Sequence, residues 1–190
     1  MLSDVSACKC LWASLLISSE YTSVSINAAL LHVIHLLSLI ISYLSIALPY
    51  TPTFPTLAHI GRPTLRANVP FVPTTKYRDK HVLWMSSKRN ASKHAQFLTA
   101  YGLLSYSVAY LAWSQGVEGI GVHDENVKVP ATSVLRLMQA IAASPSLGVR
   151  SHEPGSLNHL GSGLDVTKVV KAVLDADGSW DESDWDIIEG

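Results

Sequence analysis

Residues 26–48 read INAALLHVIHLLSLIISYLSIAL, and where this stretch sits decides the fold. A spanning helix needs about 20 mostly apolar residues, so length alone permits a membrane crossing. The polar residues are not scattered, however. His32, His35, Ser38, Ser42 and Ser45 follow one another at steps of three or four, which draws them into one stripe along a helix. A lone spanning helix would expose two imidazoles to lipid, at considerable cost. A helix packed in protein, with one seam toward water or a polar partner, carries no such cost. The expectation is a buried core helix, and the alternative is a single-pass span.

A chain of 190 residues holds one domain of ordinary size and a tail. With 48% apolar and 15% charged residues it is built for burial, not for wholesale disorder. The net charge of −1 hides a segregation. From Arg62 to Lys93 there are eight Lys or Arg against the single acid Asp79. From Asp175 to Glu189 there are seven acids and no Lys or Arg. A basic middle and an acidic end imply two surfaces with different partners.

Beyond the first helix the chain is dense in proline (Pro49, Pro52, Pro55, Pro63, Pro70, Pro73). Such a segment favours an extended, mostly irregular path with few ladder hydrogen bonds, and Pro49 is placed to stop the helix before it. His81 to Met85 reads as a short strand. A second long helix is capped by Asn90 or Ser92 and ended at Gly116, with Phe97, Tyr101, Leu104, Val108 and Leu111 as its apolar face. A shorter helix after Pro130 turns Val134, Leu135, Met138 and Ile141 inward. Asp165 caps a last one with Val166, Val169, Val170 and Val173.

The fold class is therefore α+β and mainly helical: two long apolar helices with a Pro-rich extended segment and short strands between them. The expected divisions are an N-terminal segment over 1–25, a core domain over 26–143, a loop over 144–163, a short helix over 164–176 and a disordered acidic tail over 177–190.

No catalytic constellation, cofactor site or metal site is read from these residues. His32 and His35 have no Glu, Asp or Cys nearby to complete a ligand set, and Cys8 and Cys10 lack two further zinc ligands. His123-Asp124-Glu125 is a loop cluster, and Gly161-Ser162-Gly163 has the surroundings of neither a nucleophile elbow nor a phosphate loop. The chain is read as a non-enzyme.

Two features rise above this background. The first is the basic stretch of Arg62, Arg66, Lys76, Arg78, Lys80, Lys88, Arg89 and Lys93. Beside an anionic leaflet each such charge contributes ~1 kcal/mol, in a salt-dependent way. Nucleic acid attracts the same charges, and a solvated loop accounts for them equally. The second is Trp185-Asp186-Ile187-Ile188, preceded by Asp184, Glu182 and Asp181. An aromatic, two spacers and an aliphatic residue suit strand addition to a ubiquitin-like autophagy modifier, with Trp185 and Ile188 as the two anchors. Packing of Trp180 and Trp185 back onto the domain is the alternative.

In order, these segments resemble the C-terminal half of autophagy-related protein fourteen, in the Barkor/UVRAG family. The likeness is carried by Ala28-Ala29-Leu30-Leu31-His32-Val33-Ile34-His35-Leu36-Leu37, by Ser42-Tyr43-Leu44 and by Leu48-Pro49. It continues through His59-Ile60-Gly61-Arg62-Pro63 and Leu65-Arg66-Ala67-Asn68. It ends in Ala109-Tyr110-Leu111-Ala112-Trp113-Ser114-Gln115-Gly116 and the tail Asp184-Trp185-Asp186-Ile187-Ile188-Glu189. The resemblance implies a C-terminal membrane-binding domain in a regulatory adaptor of the class III phosphatidylinositol 3-kinase complex, active in autophagosome formation or in endosomal and vacuolar sorting. It implies the kinase and its Beclin-like subunit as partners, an anionic membrane surface and no nucleic acid, and a cytoplasmic, peripheral place on endomembranes. Members also carry an N-terminal cysteine motif and a long coiled coil. Cys8-Lys9-Cys10 is not that motif, and no sustained heptad run precedes Asn27.

Overall fold

The structure, a computed structural model, describes residues 22–53, 62–68, 77–86, 90–122, 127–149 and 164–177. Four helices carry most of it: α1 (Ser23–Leu44), α2 (Ala91–Ser114), α3 (Val134–Ala143) and α4 (Val166–Asp177). Five short strands lie between them: β1 (Tyr50–Thr53), β2 (Thr64–Ala67), β3 (His81–Val82), β4 (Ile120–Gly121) and β5 (Val129–Pro130).

The centre of the fold is α2. Asn90 begins it, its side chain accepting a hydrogen bond from the Lys93 amide at 3.0 Å, and Gly116 leaves it at φ +78°. Phe97, Tyr101, Leu104, Val108 and Leu111 are all buried, but so are Leu98, Leu103, Ala109 and Tyr110 on other faces. The helix is thus enclosed nearly all round instead of along one stripe. Small residues make this geometry accessible. A Cβ built on Gly102 would lie 3.0 Å from the Cα of Val170, so α4 packs directly on the backbone of α2. On its remaining sides α2 meets α3 and the sheet.

That sheet has the order β1-β2-β3 and is antiparallel throughout, with Tyr50 opposite Ala67 and Leu65 opposite His81. The proline-dense segment therefore contains a regular ladder, contrary to the expectation of an irregular path. Pro52 is tolerated because β1 is an edge strand, where a missing amide costs no second partner. Thr53 and Thr64 pair their hydroxyls across this ladder at 2.8 Å. Tyr50 and Leu65 point inward, and the Tyr50 amide donates to the Ser107 hydroxyl on α2 at 3.1 Å. The strand expected over His81–Met85 is only two residues long, followed by one further cross-strand bond, from the Leu83 amide to the Pro63 carbonyl at 2.9 Å.

The first helix differs from expectation in two ways. It ends at Leu44, with Ser45 in the left-handed region at φ 53°, so it stops before Pro49 is reached. It is also not a core helix on all sides. Ile26, Leu30, Ile34, Leu37 and Leu44 join the core, while His32, His35, Ser42 and Ser45 are exposed, as the polar stripe requires. Its main polar attachment is Asn27. That side chain donates to the Met85 carbonyl at 2.9 Å and accepts from the Met85 amide at 2.8 Å, in a buried setting. The close backbone approaches run instead between α2 and its neighbours. On α3 the buried positions are Val134, Leu137, Met138 and Ile141, and Leu135, expected inside, faces outward. Asp165 caps α4 as the sequence indicated, its side chain accepting from the Thr167 amide at 3.0 Å.

Candidate functional site

The face of α1 turned away from the core carries large apolar side chains among the residues of its polar stripe. Leu36 is 50% exposed, Leu39 56% and Tyr43 83%. Between this face and the end of α3 lies a groove of about 340 Å³, lined by Leu39, Ile40, Tyr43, Leu44, Ile141, Ala142 and Leu147. No Asp, Glu, Lys or Arg occurs in α1 or from Leu137 to Val149, so the surface offers no charge to water. Among the described residues α1 is also the helix long and apolar enough to cross a membrane. Sequence reasoning missed this surface. The leucines were visible, but nothing in a single chain says which of them find cover.

The basic stretch is exposed wherever it is described. Arg62, Arg66, Arg78, Lys80 and Lys93 all face solvent. Lys76, Lys88 and Arg89 lie outside the described residues, as do Glu182, Asp184, Trp185 and Ile188 of the tail. The sheet register organises two of the cations. Thr64 is opposite Val82 and Leu65 opposite His81, so one step further Arg66 falls opposite Lys80. Leu65 is on the inner face, so Arg66 stands on the outer one.

Two further histidines are partly or fully withdrawn from solvent, His94 buried and His81 half-buried. His94 Nε2 is 3.1 Å from Asp177 Oδ2, which ties the first turn of α2 to the last of α4. The ring stacks on Phe97 with centroids 6.4 Å apart, and its Nδ1 has no hydrogen-bond partner. His81 is held below the ordinary histidine range by burial, with Asp79 pulling the other way. Among the described residues no cluster of His, Cys, Asp or Glu could hold a metal ion.

An exposed uncharged helix face and cations on the outer face of the sheet suit contacts with other molecules. The comparison with known families agrees. The model of the family "vacuolar sorting 38 and autophagy-related subunit 14" matches residues 5–133. The chain belongs to this family. Its members are autophagy-related and vacuolar-sorting subunits of the phosphatidylinositol 3-kinase complex, regulatory and not catalytic, and this accords with cytoplasmic association with endomembranes. The matched span takes in α1, the three-stranded sheet, α2, β4 and β5, and stops just short of α3. Neither a curated protein nor a solved structure matches the chain.

Proposed function

We propose that the chain is a non-catalytic adaptor of the class III phosphatidylinositol 3-kinase complex. It docks on partner subunits, the Beclin-like one among them, through the open face of α1, and meets an anionic membrane through its basic surface. The kinase activity belongs to a partner. The observation that carries this reading is the uncovered face of α1. Leu36, Leu39, Tyr43 and the groove beside them would be expensive to leave in water and need no repair once another protein covers them. Covering the exposed parts of Leu36, Leu39 and Tyr43 contributes on the order of 3–5 kcal/mol to such a contact.

Either destination of the family, autophagosome formation or endosomal and vacuolar sorting, uses the same two surfaces. The tail pattern around Trp185 and Ile188, with Glu182 and Asp184, adds a peptide for a ubiquitin-like autophagy modifier.

The test is co-purification from the native cell. Leu39→Asp with Tyr43→Asp should abolish recovery of the kinase and its scaffold while leaving helix content and unfolding temperature unchanged, because both positions already face solvent. Undiminished recovery would remove α1 from the interface. The length and apolarity of α1 favour one other reading, a single-pass span. Alkaline carbonate extraction separates the two, since a peripheral adaptor is released and an integral protein stays with the membrane.

A further inference from the structure

The exposed positions of α1 follow a helix-pairing spacing. Ser25, Ala29, His32, Leu36, Leu39 and Tyr43 all face solvent and succeed one another at steps of four, three, four, three and four. That alternation averages about 3.5 residues, the period that holds one seam of a helix toward a second helix. The core positions Leu30, Ile34 and Leu37 lie on the other side. Ala28, His35 and Ser42, also exposed, flank the seam at steps of seven. No Asp, Glu, Lys or Arg occurs in α1, so the seam attracts no charged surface and does not repel a copy of itself.

The seam is graded in size. Ser25, Ala28 and Ala29 lie in its first half, and Leu36, Leu39 and Tyr43 in its second. A copy of the helix laid antiparallel about a twofold axis level with Ile34 brings each half onto the other. The layers are then Ser25 against Tyr43, Ala29 against Leu39 and His32 against Leu36 of the second copy. Large side chains meet smaller ones, as close packing requires. A parallel pair instead sets Tyr43 on Tyr43 and Ser25 on Ser25, crowding one end and leaving a void at the other. The nine residues of seam and flank expose on the order of 700 Å² per copy, against about 800 Å² a side in a standard interface. That area suits a reversible dimer and not a permanent one.

We propose that the seam of α1 pairs with the α1 seam of a second copy of this chain, antiparallel about a twofold axis. This rests on the reading of that face as a docking surface given above, and adds what it docks when no partner subunit is present. Self-pairing and partner docking use the same side chains, so they exclude one another. The dimer keeps the leucines out of water until a partner subunit displaces the copy.

Two measurements on the full chain test it. Sedimentation equilibrium should show a reversible monomer–dimer equilibrium, and Leu39→Asp with Tyr43→Asp should raise its dissociation constant at least ~100-fold with helix content unchanged. A chain that stays monomeric up to about 100 μM, or a dimer that survives both substitutions, overturns the proposal. Orientation is read in a Cys8→Ser, Cys10→Ser background. Oxidation of an equimolar mixture of Ala29→Cys and Leu39→Cys chains should give the mixed disulfide in excess of either like-with-like product. Predominant joining of Ala29→Cys chains to each other overturns the antiparallel pair. A monomer whose binding to phosphatidylcholine vesicles depends on Leu39 and Tyr43 also overturns it, with lipid as the occupant of the face. Recovery of the kinase separates this from the docking reading. Recovery lost in the double variant of a monomeric chain leaves partner docking standing and removes the self-pairing. A dimer lost in that variant with recovery undiminished supports the self-pairing and moves the partner subunit elsewhere.

Discussion

Replacing Asn27 by alanine tests how α1 is held to the domain. In the folded chain its amide group meets both the carbonyl and the amide of Met85, at 2.9 and 2.8 Å, and all of these groups are buried. The side chain thereby takes the place of a neighbouring strand for a residue that has left the β3 ladder. Alanine removes both bonds and leaves the Met85 donor and acceptor away from water with nothing to satisfy them. Each orphaned group costs ~1–3 kcal/mol, and some relaxation toward solvent at the rim reduces the sum, so the loss is set at about 2–4 kcal/mol. For a chain of this size that lowers the unfolding temperature by roughly 5–15 °C. Urea unfolding followed by circular dichroism measures the free energy, with Ala28→Gln as the control, since Ala28 lies on the same helix and faces solvent. Hydrogen exchange supplies the specific readout. The Met85 amide should lose its protection in Asn27→Ala and keep it in Ala28→Gln. A stability change for Asn27→Ala no larger than that of the control, or an unaltered Met85 exchange rate, would refute the assignment of α1's attachment to this pair of bonds.

The enclosure of α2 has two measurable outcomes of its own. Gly102→Ala places a methyl 3.0 Å from the Val170 Cα, a backbone atom that cannot rotate away. Although alanine favours helix by ~1 kcal/mol, the ~1–3 kcal/mol cost of overpacking outweighs it, and urea unfolding should show a net loss near ~1 kcal/mol. Burial pushes Tyr101 and Tyr106 up to about 12, and raises Tyr50 and Tyr110 as well. The unfolded chain then releases these protons first, near pH ~10, while the folded chain keeps them. Stability is therefore complete below pH ~10 and falls as pH rises from there toward ~12, by on the order of 2 kcal/mol for fully buried Tyr101. Denaturant midpoints measured from about pH 8 to about pH 11 should hold steady and then drop, in step with tyrosinate absorbance. A midpoint that rose over this range would reverse the sign of the argument.

Local signals carried much of this fold into the sequence. The Asn90 cap, the left-handed exit at Gly116 and the Asp165 cap each depend on a few adjacent residues, so each was legible. The exposed cations were legible for a similar reason, since a charge without a partner stays in water whatever the tertiary arrangement. The β1–β2 ladder was not. Its four pairs join Tyr50–Thr53 to Thr64–Ala67, segments separated by residues 54–63, and Pro52, which argued against a ladder, is compatible with an edge strand. The inward turn of Leu137 in place of Leu135 on α3 was missed because both choices fit a helical period.

The two long helices show why apolarity and burial part company. α1 is the more apolar, carries no charge and keeps an open face, whereas α2 contains Lys93, His94, four serines and a threonine and is enclosed. Burial depends on how many neighbours a helix can admit, and that is decided by small residues. Ser107 admits β1 by binding the Tyr50 amide, and Gly102 admits α4. From Leu30 to Leu44 α1 offers a bulky aliphatic side chain, or that of Tyr43, at every position outside its polar stripe, which holds other backbones at a distance. A sequence that spends its small residues on the inner helix and its leucines on the outer one has an internal core already complete at α2. The leucines that remain outside are surplus to that core, and they form the face that the proposed adaptor role would cover with a partner subunit.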